Sequence, residues 1–139
     1  MISFNYETDF KLLDEAKTSS WISKIIEHHN CKKEEISYVF CDDEYLHRLN
    51  VQYLNHDTLT DIISFDYSIG KTISGDIFIS VERVEDNAKY FDVDFNIELH
   101  RVIIHGILHY CGFKDKTEDD AKLMRAKEDE ALFMLKEMS

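Results

Sequence analysis

The sequence predicts an α+β fold: one domain with a small, mixed four-stranded sheet packed by about five helices. Three observations predict it. Apolar residues alternate in four short stretches and recur at helical spacing in five longer ones. Strands and helices alternate through the first half, whereas the second half turns almost wholly helical. The 139 residues show no internal repeat and no composition break that would mark a second domain.

The elements follow in order. Ile2, Phe4 and Tyr6 alternate with polar residues, the sign of a half-buried strand. From Ser20, Trp21, Ile22, Ile25 and Ile26 recur at helical spacing, with an end near Asn30 and Cys31. Ile36 to Cys41 is rich in Ile, Tyr, Val and Phe, the composition of a central strand. Asp42 and Asp43 offer N-caps to a helix carrying Tyr45, Leu46, Leu49 and Tyr53. Ile62 to Tyr67 reads as a strand, a turn forms around Gly70, and Ile73 to Val81 returns as its antiparallel partner. Helices are expected from Glu82 to about Phe91, from Phe95 to Tyr110, and from Thr117 onward with Ala121, Met124, Ala131, Leu132 and Leu135 on the apolar face. Thr117 with Asp120 three positions on comes close to a capping box.

Composition narrows the function classes. With 44% hydrophobic residues the chain has the apolar material for a core, which argues against a disordered acidic tail. The longest stretch free of charged residues, Val102 to Phe113, has 12 residues and includes two histidines. A membrane span needs about 20 apolar residues, so this stretch reads as a buried element and no membrane partner is expected. The start of the chain lacks the basic and apolar regions of a signal peptide. Cys31, Cys41 and Cys111 are odd in number and widely spaced, which suits a reducing compartment, so a cytoplasmic location is expected. The 16 basic and 28 acidic residues give a net charge of −12. Such a charge repels a polyanion at long range, so any nucleic-acid binding has to be local or assisted by a partner.

The chemistry concentrates in His105-Gly106-Ile107-Leu108-His109-Tyr110-Cys111-Gly112-Phe113-Lys114-Asp115. Residues four apart on a helix share a face, so His105 and His109 can chelate one metal ion. Gly112 can take the left-handed conformation that ends a helix and reverses the chain. Asp115 then returns as a third ligand. Three protein ligands plus water describe a catalytic zinc site, with the metal-bound water as the reactive group. The H-x-x-x-H-x-x-G-x-x-D spacing is shared with metzincin peptidases, whose third ligand is usually His. Those peptidases place a general-base Glu directly after the first His. Here that position is Gly106.

These segments together resemble the YbeY-type bacterial endoribonucleases. His105 to Asp115 is similar to the family's H-G-x-L-H-x-x-G-Y-D-H motif. Thr60-Asp61-Ile62-Ile63-Ser64-Phe65 resembles its T-[DN]-V-L-S-F strand, Gly75-Asp76-Ile77 its G-D-I strand, and Leu49-Asn50 with Tyr53 its L-N-x-x-Y segment. Ala121, Met124 and Glu128 match its closing helix. The resemblance implies a single-strand endoribonuclease with one zinc ion per chain, acting in ribosomal RNA maturation, at the 3′ end of the small-subunit rRNA, and in ribosome quality control. It implies ribosomal or ribosome-assembly proteins as partners, and a sheet packed by helices with the metal at the mouth of a cleft.

The chain departs from the pattern at four points. Asp115 stands for the third His; its charge makes a bound water less acidic than three imidazoles would, and admits divalent metals other than zinc. Lys114 replaces the preceding Asp. Leu54 stands where the family often has a phosphate-contacting Arg, so that role does not transfer. Leu59 stands where a proline often precedes the T-D step.

The expected site is therefore His105, His109 and Asp115 as metal ligands and, through the metal-bound water, as catalytic residues. Lys114, Lys116, Asp61 and Ser64 are the expected substrate contacts; Lys114 and Lys116 flank Asp115 among the basic residues Arg101, Lys122, Arg125 and Lys127. Tyr67 and Phe113 offer faces for base stacking, though each also fits ordinary packing. His28, His29, His47, His56 and His100 read as structural or solvent-exposed. Cys111 reads as a small packed side chain between ligand positions. Glu98, seven before His105, reads as a solvated salt-bridge residue in preference to a partner for an imidazole N–H. Two alternatives stand beside the nuclease: a zinc peptidase-like hydrolase, which Gly106 speaks against, and a non-catalytic ribosome-assembly factor with a structural metal.

Overall fold

The alternating apolar runs assemble into one mixed sheet. The computed structural model of the chain describes residues 1–55 and 60–138, so His56 and Leu59 lie outside the described residues. The elements are β1 (Ile2–Tyr6), α1 (Glu15–His28), β2 (Lys32–Cys41), α2 (Asp43–Leu54), β3 (Ile62–Asp66), β4 (Thr72–Ser80), α3 (Val81–Phe91), α4 (Phe95–Tyr110) and α5 (Glu118–Glu137). The sheet order is β1-β2-β4-β3. β1 and β4 run parallel to β2, and β3 pairs antiparallel to β4. The expected α+β class, the four strands, the five helices and the β3–β4 hairpin are all present.

In a chain without proline, each of these five helices starts on a side-chain cap. Asp14, Asp42, Ser80, Asp94 and Thr117 accept hydrogen bonds from backbone N–H groups of the first turn. Acidic residues follow in every first turn, where they meet the positive end of the helix dipole.

Two element starts differ from the sequence expectation by four residues or more. α1 begins at Glu15, five residues before Ser20, because the Asp14 cap sets the start while the apolar stripe appears only later. β2 begins at Lys32, four residues before Ile36. Those four residues are exposed, so no apolar alternation marks them, yet Lys32 and Lys33 pair with Thr72 and Ile73 of β4 across a register shift.

Period-two alternation sorts the sheet's side chains onto two faces. Ile36, Tyr38 and Phe40 of β2 and Ile73, Ile77 and Ile79 of β4 enter the main core with α1, α4 and α5. Phe78 and Phe65 point the other way, toward Leu46 and Tyr45 of α2. Two buried hydrogen bonds tie helices into the main core. Trp21 Nε1 donates to the Ala131 carbonyl at 2.8 Å, joining α1 to α5. The Tyr38 hydroxyl donates to the Ile103 carbonyl at 2.8 Å, joining β2 to α4. Burial drives the Tyr38 hydroxyl pKa well above 10, so it remains a donor across the working pH range.

Tyr38→Phe keeps the packed ring and removes only this bond. We expect a loss of about 0.5–1.5 kcal/mol, read as a lower urea midpoint with an unchanged slope.

Candidate metal centre and cleft

α4 is the element that builds the site. Val102, Ile103, Ile104, Ile107 and Leu108 are buried, and that apolar coverage fixes the helix against its neighbours. His105 and His109 share one edge, with ring centroids 6.4 Å apart and planes within 7° of parallel. The helix then stops. The Gly112 N–H bonds the His109 carbonyl and the Phe113 N–H bonds the Leu108 carbonyl. Gly112 has φ +106°, a conformation that an L side chain rarely adopts. The reversal carries Asp115 back to α4, where its Oδ2 lies 3.3 Å from His105 Nε2.

Each imidazole has a partner on its other nitrogen. His105 Nδ1 lies 2.7 Å from Glu128 Oε2 on α5. His109 Nδ1 lies 3.1 Å from the Phe113 carbonyl. A carbonyl or carboxylate oxygen only accepts, so each Nδ1 carries the proton and donates it. In the neutral ring each Nε2 is then left with its lone pair, the form a metal ligand needs; when His105 is protonated, its Nε2 donates to Asp115 instead. By donor type, two such nitrogens and the Asp115 carboxylate suit a divalent cation of the zinc class, although the three donor atoms do not all lie within 4.8 Å of one another in this structure.

Glu128 is itself buried, with 7% of its side chain exposed. Its Oε1 accepts from Arg101 Nη1 at 3.1 Å, and Arg101 Nη2 reaches Asp129 at 2.8 Å. This network tunes His105. Burial alone lowers its pKa, but the Glu128 hydrogen bond and charge, then Asp115 and Asp61, outweigh burial and leave it raised above 6.5. In the metal-free protein the His105–Glu128 pair therefore contributes full stability below the unfolded value of 6.5 and loses it as pH rises through the raised folded value.

The histidines open onto a cavity of about 530 Å³. Asp61 and Ser64 form one wall, Glu98 and Arg101 of α4 another, and Arg125 and Glu128 of α5 a third. Burial raises the Asp61 and Glu98 carboxyls above their ordinary values. His105, His109, Asp115, Asp61 and Ser64 thus surround one space. Lys114 and Lys116 are exposed and lie off its lining; Arg101 and Arg125 take the basic positions there. Glu98 is buried, 7% exposed, and is not the solvated residue expected from sequence. The imidazole partner is Glu128, which lies on another helix 23 residues from His105, so helical spacing gave no signal for the pairing.

The other candidates fall outside the cavity lining. Tyr67 is exposed and donates to Asp76, and Phe113 packs partly buried against the core. Leu54 is exposed at the end of α2. Burial and the neighbouring Cys31 push the Cys111 thiol up to about 12, which suits a packed thiol better than a ligand. Gly106 faces the sheet: a Cβ there would stand 3.0 Å from Ile77 Cδ1 and 3.4 Å from Ile62 Cδ1. A glutamate at the peptidase general-base position would be driven into that contact.

The fold and this cleft define an α+β protein with a paired-histidine helix beside a mixed sheet. Comparison with known proteins makes the assignment specific. Residues 3–136 match the family described as Endoribonuclease YbeY, and the chain belongs to that family. The Endoribonuclease YbeY of Flavobacterium johnsoniae is 64% identical over 134 residues, covering 96% of each chain. That of Parabacteroides distasonis is 47% identical over 134 residues, covering 95% of this chain and 94% of its own. A solution structure of a Thermotoga maritima protein shares the fold with a TM-score of 0.69 at 23% identity, covering 99% of this chain and 93% of that one.

Replacing Glu128 with Gln removes the largest influence that raises His105. The His105 pKa is expected to fall, because burial and the weaker Asp115 and Asp61 charges remain. A ring-proton NMR titration of metal-free protein reads the shift; an unmoved value contradicts the assigned pairing.

Proposed function

We propose that the chain is a metal-dependent endoribonuclease that cleaves single-stranded RNA and matures the 3′ end of small-subunit ribosomal RNA. Family membership supports RNA cleavage. The reading places the work in a single cytoplasmic domain acting with ribosomal or ribosome-assembly proteins. Among the described residues no helix is long and apolar enough to cross a membrane. His105, His109 and Asp115 hold one divalent cation, zinc first among the candidates. The observation that carries this is the pair of Nδ1 partners, Glu128 and the Phe113 carbonyl, which leave both Nε2 atoms as acceptors.

When bound, the cation supplies Lewis-acid stabilisation of charge on phosphoryl oxygens and makes water more acidic. The chain's own residues do the rest. Glu128 and Phe113 orient the imidazoles. Asp61 and Ser64 offer hydrogen-bonding groups within the same cavity. Arg101 is held by Glu128 and Asp129, whereas the Arg125 side chain is 61% exposed and meets Glu128 at the longer distance of 3.9 Å, so it can turn toward a phosphate. One well-exposed guanidinium at the cleft of a chain with net charge −12 favours selective binding over indiscriminate nuclease action.

The test compares zinc-loaded protein with a His109→Ala variant on a single-stranded RNA oligonucleotide and on casein. His109 is exposed, so the variant should melt like the unaltered chain while losing RNA cleavage. Casein cleavage lost in the variant, with RNA untouched, would instead establish a peptidase. Unfolding of the variant would favour a structural metal.

Arg125→Ala separates binding from chemistry. One lost phosphate contact should lessen the slope of log affinity against log salt by about 0.7 on single strands. Fluorescence anisotropy with uncleavable RNA reads it.

A further inference from the structure

The end of α1 and the outer face of α5 bring together three metal-binding side chains that the cleft does not use. We propose that His28, His29 and Glu130 form a second divalent-cation site, of the zinc, nickel or copper class, that clamps α1 to α5.

Their donor atoms all lie within 4.8 Å of one another. His28 Nε2 stands 3.1 Å from Glu130 Oε1, across 102 residues of sequence. His29 leaves helical geometry as the α1 cap, and its ring sits beside that of His28 with centroids 4.9 Å apart. Consecutive histidines have no shared helical face, so the sequence reading passed over them as structural or exposed. Glu130 gave no signal either, since it reaches them only once α5 packs across α1.

The donor chemistry selects the ion. Two imidazoles and one carboxylate oxygen suit borderline transition cations, whereas magnesium and calcium prefer all-oxygen sets. Three protein donors leave a fourth position for water. The His28 and Glu130 side chains are 44% and 42% exposed, so a cation enters without opening the core. Lys127 Nζ lies 4.0 Å from the same Glu130 oxygen. Its ammonium balances the carboxylate in the metal-free chain and must swing outward when a cation binds; at 30% exposure it borders solvent.

The position gives the site a consequence. The His29 ring meets Phe113 edge-on at 5.1 Å, and the Phe113 carbonyl receives the His109 Nδ1 proton. A cation on His28, His29 and Glu130 therefore braces the turn that carries Asp115 from behind. Binding only the folded chain, it also stabilises the fold by mass action.

The test is a zinc titration of metal-free, full-length protein without a histidine tag, followed with a competing chromophoric chelator. The unaltered chain, E130Q, His28→Ala and His109→Ala are compared. Two equivalents are expected for the unaltered chain. In E130Q and His28→Ala one equivalent should weaken about tenfold or more while the other persists. His109→Ala should keep the equivalent that E130Q removes, which separates this site from the cleft. Zinc should also raise the melting temperature of His109→Ala but not of the His109→Ala, E130Q double variant. A single equivalent that His109→Ala abolishes and E130Q leaves alone would overturn the proposal. So would a second equivalent unchanged in both E130Q and His28→Ala.

Discussion

A buried carboxylate is costly unless its oxygens are paired, and Glu128 is the carboxylate on which this structure turns. One oxygen accepts from His105 and the other from Arg101. Through those two bonds α5 is locked to α4, the tautomer of His105 is set, and Arg101 is held against the wall of the cleft. The same bonds give both Glu128 oxygens a partner at 7% exposure. Removing any member leaves another buried charge short of a partner. The site is thus an arrangement of two helices, and the sheet beneath serves to hold α4 in place through Ile77, Ile79 and the Tyr38 hydroxyl.

The closeness of α4 to the sheet also determines which chemistry is open to it. Gly106 permits the approach, and the room it would need for a longer side chain is occupied by Ile77 and Ile62. The histidine spacing shared with metal peptidases is therefore compatible with this packing, while a side chain in place of their general-base glutamate would require Ile77 and Ile62 to give way. What faces the cavity instead is a mixture of carboxylates and arginines, Asp61 and Glu98 with Arg101 and Arg125. The two arginines offset those carboxylates only in part, since Asp115 and Glu128 line the same cavity.

The parts of this architecture carried by local periodicity were legible in the sequence. Phe95 to Tyr110 was read with both ends in place, because Asp94 caps it and the Cys111-Gly112 turn ends it. The bounds of α1 and β2 were less visible, since a cap and exposed strand residues leave no apolar pattern. The clustering of His105, His109 and Asp115 was expected because those residues lie within one helix and its following turn. Glu128, Arg125 and the His28-His29-Glu130 group were not assigned these roles, because each depends on the packing of α5 against elements far away in the chain. Lys114 and Lys116 show the reverse: nearness in sequence to Asp115 does not put them in the lining of the cavity.

In their neutral form both imidazoles present a lone pair at Nε2, held so by Glu128 and the Phe113 carbonyl. Long-range proton–nitrogen correlation spectra of the histidine side chains measure this directly. In metal-free protein above the His105 titration, His105 and His109 should both appear as the Nδ1–H tautomer, and zinc should shift both Nε2 resonances while leaving each Nδ1 protonated. A proton on Nε2 of either ring, or Nε2 resonances that zinc does not move, would contradict the account.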